Sequence, residues 1–154
     1  MRVRLVAAGT RLPDWMNAGY AEYARRLPPE TPLELREIDV QRGRGGGERA
    51  IRDEGEKMLA LVAPSHYVVA LDVTGRTLDT PALAKWWQKR LQDGRDLAFL
   101  IGGPEGLAPD CLARADERLS LSALTLPHGL ARVVLAEAVY RAISLTKGHP
   151  YHRA

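Results

Sequence analysis

At 154 residues, with 45% hydrophobic and 27% charged residues, the chain can bury a real core and has the composition of a soluble globular protein of one domain, residues 1–154. Its apolar runs are too short for a membrane-spanning helix, and its single cysteine, Cys111, excludes an internal disulfide and suits a reducing cytoplasm. Net charge is only +3, too modest by itself to mark a nucleic-acid binder, but the cations are 18 arginines against 4 lysines. That excess reads either as a preference for forked phosphate contacts and base stacking or as the product of a genome rich in arginine codons.

In chain order, residues 2–9 form an apolar β run too short for a signal peptide, ending at Gly9-Thr10. Pro13-Asp14 opens a helix through about Arg26, and Leu27-Pro28-Pro29 stops it. Residues 33–40 alternate apolar and polar, which predicts a strand with one wet face near a sheet edge. The basic, glycine-rich loop 41–47 is either a mobile connector or an arm that settles on phosphate through Arg42, Arg44 and Arg49.

A charged amphipathic helix from about Glu48 to Val62 follows. Residues 66–72 are almost continuously apolar and predict a central strand covered on both faces, turning at Thr74-Gly75-Arg76. Asp79-Thr80-Pro81 caps a helix that Asp93-Gly94 ends. Residues 96–101 predict a second central strand, broken by Gly102-Gly103-Pro104-Glu105-Gly106. Ala108-Pro109 starts a short helix to Ala115, in which Cys111 reads as a small buried hydrophobe rather than a nucleophile. A strand with Leu119, Leu121 and Leu124 as its large side chains leads through Pro127-His128-Gly129 to a last helix from about Leu130 to Thr146. The order β-α-β-α-β-α-β-α-β-α predicts an α/β layered fold with a mainly parallel sheet and helices on both faces. Ligands in such sheets bind at the C-terminal ends of the strands, here the loops after Asp72, Ile101 and Ser122.

The chemistry of these loops is selective. Residues 102–106 lack the lysine and hydroxyl of a phosphate loop, and Glu105 would repel a triphosphate. Residues 121–128 carry no acid or lysine and are suited to offering main-chain amides and carbonyls to a flat neutral group. The last helix is apolar over most of its circumference, which predicts burial on two sides, one by its own sheet and one by a second copy. Glu137 and Arg141 form an i,i+4 pair on it. Arg132 sits in its first turn against the dipole and so must meet an acid or a bound anion. The tail holds His149, Tyr151, His152 and Arg153, which fits base stacking, phosphate contact or docking over a partner's pocket. It lacks the acids or cysteines that would complete a metal site with the two histidines.

Three motifs, residues 100–107 (LIGGPEGL), 121–128 (LSALTLPH) and 149–153 (HPYHR), with 5–15 (LVAAGTRLPDW), together resemble the bacterial 23S rRNA pseudouridine N3-methyltransferases of the SPOUT class over the whole chain. The resemblance implies an α/β domain whose C-terminal part is tied in a deep trefoil knot, with S-adenosylmethionine held on backbone. It implies cofactor contacts at Leu71, Gly102, Gly103, Leu121, Ser122, Ala123, Leu124, Thr125 and Leu126. It further implies a cytoplasmic homodimer, without metal, acting on 23S rRNA in the assembled ribosome. Beside it, the candidates for moving the N3 proton are His128, Glu105, Tyr151 and His152, and those for holding RNA are Arg132, His149 and Arg153. The competing readings are an assembly factor that keeps the fold without catalysis, and a small-molecule methyltransferase, which the arginine excess and the tail disfavour.

Overall fold

The structure is a computed structural model that describes residues 1–40 and 47–152, the side chain of His152 excepted. The loop arginines Arg42 and Arg44, and Arg153 in the tail, lie outside the described residues.

Five strands, β1 (Val3–Ala8), β2 (Leu33–Ile38), β3 (Tyr67–Thr77), β4 (Leu97–Ile101) and β5 (Glu117–Ser120), form one sheet in the order β2-β1-β4-β3-β5. Every pairing is parallel. All C-terminal strand ends therefore lie on one edge, where the loops after β1, β3, β4 and β5 gather. Residues 33–38 do lie at a sheet edge, as their alternation predicts, and β4 is buried along its whole length.

Helices α1 (Asp14–Ala24), α3 (Thr80–Asp93) and α5 (His128–Thr146) cover one face, and α2 (Glu48–Leu59) and α4 (Pro109–Arg114) cover the other. The period-2 rule divides the strands between the two cores. Val3, Leu5 and Ala7 of β1 meet Trp87, Phe99, Leu135 and Val139 on the first face, while Val6 and Ala8 meet Met58, Val68, Leu100 and Cys111 on the second. Each such buried aliphatic side chain contributes about 1.5–3 kcal/mol. Cys111 is fully buried, and burial, then the neighbouring Asp110, pushes its thiol up to about 11, so it is a hydrophobe and no nucleophile.

Helix α3 ends where its sequence says it should. The Asp79 side chain accepts from the Ala82 amide, Pro81 sits in the first turn, and Gly94 closes the helix at φ +76. Helix α5 differs from expectation in two ways. It starts at His128 rather than near Leu130, and its apolar circumference is met largely inside the chain, because it lies on the sheet between α1 and α3. No helix among the described residues is long and apolar enough to cross a membrane.

Two strand assignments need correction. Strand β3 does not end at Asp72. After a bulge it resumes pairing, so that Leu71 and Arg76 both stand opposite Leu119 of β5. A Cβ on Gly75 would lie 2.7 Å from the main chain of Arg118 and Leu119, so only glycine lets the resumed strand come this close. Strand β5 spans Glu117–Ser120, which leaves Leu121 and Leu124 in the loop beyond it, Leu124 being 75% exposed.

Candidate active site

The bulge within β3 and the loops after β4 and β5 enclose a cavity of about 660 Å³, within the usual size of small-molecule sites. Leu71, Gly102, Gly103, Leu121, Ser122, Leu124, Thr125, Leu126, Glu105 and His128 all line it. Of the cofactor contacts that the resemblance implies, only Ala123 is not in the wall.

Each loop has a local reason for its shape. In the β4 loop the Gly106 amide donates to the Gly103 carbonyl at 3.0 Å, and Gly106 takes φ +88. A Cβ on Gly102 would lie 2.5 Å from the carbonyl carbon of Gly106. The glycines are thus required first by the chain folding on itself, which the sequence could not separate from close approach to a ligand. In the β5 loop the Ser120 hydroxyl donates to the Ser122 carbonyl, and the Leu124 amide donates to Ser122 Oγ, both at 2.9 Å. These local bonds pin the turn. The main-chain amides and carbonyls of Leu121, Ala123, Thr125 and Leu126 have no partner in the chain among the described residues. In the bulge after Leu71, Thr74 donates to the Asp72 carboxylate.

The charge of the wall is equally specific. Among the described residues two acids, Asp72 and Glu105, line the cavity, and no lysine or arginine does. Glu54 on α2 approaches the same loop from behind, its Oε1 3.3 Å from where a Cβ on Gly103 would stand. Burial, then the charge of Glu105, raises the Glu54 carboxyl above its ordinary range. These acids disfavour a phosphate beside them and suit a ligand that is neutral or positively charged there.

A fourth loop, after β1, packs against His128 and Gly129 without lining the cavity, and was not identified from sequence. Gly9 takes φ +114, and a Cβ there would lie 2.8 Å from His128 Nε2. Leu12 and Met16 close on Gly129, whose missing Cβ would meet Met16 Sδ at 2.5 Å. The signal was present in Gly9 and in the small residue after His128, but only the β1–β4 pairing brings the two segments together.

The structure separates the remaining candidates. Arg132 is 1% exposed, with Nη1 2.5 Å from Glu37 Oε2 and Nη2 2.7 Å from the Gly9 carbonyl. Of the two readings left open, an acid or a bound anion, it meets the acid. A buried guanidinium engaged in this way is not available to RNA, so its assignment to RNA is corrected to a structural one. Tyr151 does not line the cavity. The 3-10 turn Pro150–His152 packs on α5, with the Tyr151 ring 4.6 Å from that of Tyr140 and its hydroxyl donating to Glu137 at 3.1 Å. Arg141 pairs with the same Glu137 at 2.8 Å and lies 5.0 Å from the Tyr151 ring. His149 is exposed. The catalytic candidates brought together are thus His128 and Glu105.

An all-parallel five-stranded α/β sheet with a non-phosphate cavity at the C-terminal strand ends defines the class of protein. Residues 1–152 match the family described as "Predicted SPOUT methyltransferase", and the chain belongs to that family. It is also similar, at 56% identity over 156 residues covering 100% of both chains, to the "Ribosomal RNA large subunit methyltransferase H" of Alkalilimnicola ehrlichii.

Proposed function

We propose that the protein uses S-adenosylmethionine to methylate N3 of a pseudouridine in 23S rRNA, on the assembled ribosome and as a cytoplasmic homodimer. The observation that carries this reading is the cavity itself, which among the described residues has two acids and no lysine or arginine in its wall, with the main-chain groups of Leu121, Ala123, Thr125 and Leu126 left without partners among those residues. Backbone groups can read the edge of a flat adenine, and a sulfonium is favoured by acids and would be repelled by a lysine. The relative's name supplies the rRNA.

When bound, the cofactor would supply an electrophilic methyl group for transfer to N3, whose proton has to be accepted elsewhere. The chain's residues position and deprotonate. The 121–126 loop would hold the adenosine end, Asp72 and Glu105 would favour a positively charged sulfonium, and His128 or Glu105 would accept the N3 proton directly or through water. The 102–107 and 117–128 segments are read as parts of a trefoil knot, a reading that rests on the family match.

The homodimer reading rests on the outer face of α5. Leu130, Val134, Ala138 and Leu145 stand half-buried around the Glu137–Arg141 pair, an apolar strip suited to a second copy. In that arrangement His149, Tyr151, His152 and Arg153 act over the partner's cavity and on RNA.

Calorimetric titration with S-adenosylmethionine, followed by methyl transfer to ribosomes from a strain lacking the modification, tests this. The expected result is micromolar binding and N3-methylpseudouridine in the digested rRNA. No binding at millimolar cofactor would favour the non-catalytic assembly factor. Removal of residues 149–154 should abolish turnover while the dimer persists.

A further inference from the structure

Trp15 is unlike the other tryptophans of the chain. Trp86 and Trp87 are 7% and 1% exposed and belong to the core, whereas Trp15, in the first turn of α1, is 61% exposed. Leaving so large an indole in water gives up several kcal/mol of burial that the fold does not recover elsewhere.

Its position is not arbitrary. Leu12 and Met16, on either side of it in sequence, clamp Gly129, next to His128 in the cavity wall. The Asn17 side chain donates to the Leu12 carbonyl at 3.3 Å and holds the turn closed. Arg11 takes φ +57, the left-handed conformation that a non-glycine residue adopts at a cost of order 1–3 kcal/mol, and its side chain is exposed. The helix entry thus presents an indole and a guanidinium to solvent, on a turn fixed directly to the residue after His128.

We infer that Trp15, flanked by Arg11, is a stacking platform for an unpaired RNA base beside the nucleotide whose ring enters the cavity. This rests on the rRNA reading above and identifies the surface that reads the flanking nucleotide. A flat indole accepts any base through its π-face, and a cation at its side favours the adjoining phosphate. The surroundings favour RNA over a second copy of the chain. Pro13, Asp14, Asn17 and Ala18 are exposed around the indole, so among the described residues Trp15 is the one large exposed apolar side chain of this face, while the continuous apolar strip lies on α5.

The test combines kinetics on unmodified ribosomes with hydroxyl-radical footprinting of the peptide that contains Trp15. Trp15→Ala should raise KM for ribosomes roughly 5- to 100-fold. Its kcat at saturation, its cofactor affinity and its oligomeric state should match the wild type, and Trp15→Phe should recover most of the loss. Ribosomes should protect Trp15 from oxidation, while the free protein should leave it reactive. Unchanged KM in Trp15→Ala, or an unprotected Trp15 in the ribosome complex, overturns the inference. So does a Trp15→Ala protein that turns monomeric, which would make this face a subunit contact. Failure of the rRNA reading shows differently, as a wild-type protein that neither binds nor methylates ribosomes.

Discussion

Arg132 Nη1 lies 2.5 Å from Glu37 Oε2, joining the second turn of α5 to the end of β2 across the top of β1. The guanidinium is 1% exposed and also holds the Gly9 carbonyl, while Glu37 keeps 35% of its side-chain surface. Loss of the acid would leave a buried cation with only carbonyl dipoles for company, whereas loss of the cation leaves an acid that water can reach. Glu37→Gln is therefore expected to destabilise the fold by about 2–4 kcal/mol, read as a lower urea midpoint at unchanged m-value.

Gly9 bears on stability and activity together, since a side chain at its positive φ is strained. At φ +114, with His128 Nε2 2.8 Å from a would-be Cβ, an added methyl must push the imidazole aside. Gly9→Ala should lose kcat by about 10- to 100-fold, since small displacements of a reacting group carry such penalties. Cofactor affinity should change far less, because the adenosine wall lies on the β5 loop. Unchanged kcat would remove His128 from the catalytic account.

Ser122 tests the preformed loop. Its Oγ accepts the Leu124 amide, and its carbonyl accepts the Ser120 hydroxyl. Ser122→Ala removes the first bond and leaves the second. A net loss of about 0.5–1.5 kcal/mol should appear as roughly 2- to 10-fold weaker S-adenosylmethionine binding by calorimetry, with thermal stability barely altered because the loop lies outside the core.

His66 sets a pH limit on stability. It is buried, its Nδ1 accepts the Ala63 amide at 2.8 Å, and burial, then the charge of Arg4, lowers its pKa below the ordinary 6.5. The folded state therefore binds its proton less readily than the unfolded chain. Stability is full above about pH 6.5 and falls as the pH drops through and below that value. Denaturant titrations at pH 7.5 and 5.5 should show the decline, and His66→Asn should flatten it. An equal decline in the variant would place the proton uptake elsewhere.

The sequence by itself determined the alternation of strands and helices, the capping of α3 by Asp79 and Gly94, the edge position of β2 and the loops of the cavity. These are local properties, set by residue period, turn chemistry and dense glycine, and the three motifs carried the family with them. Tertiary structure alone decided what depends on residues far apart in the chain meeting. Strand β3 resumed beyond its bulge because Gly75 faces β5, and the β1 loop came to back the cavity wall because Gly9 lies against His128. Arg132 was the plainest case. Its helix position showed that it needed a negative partner, but charge pattern cannot say which, and only the β1–β2 pairing brought Glu37, 95 positions away, within reach.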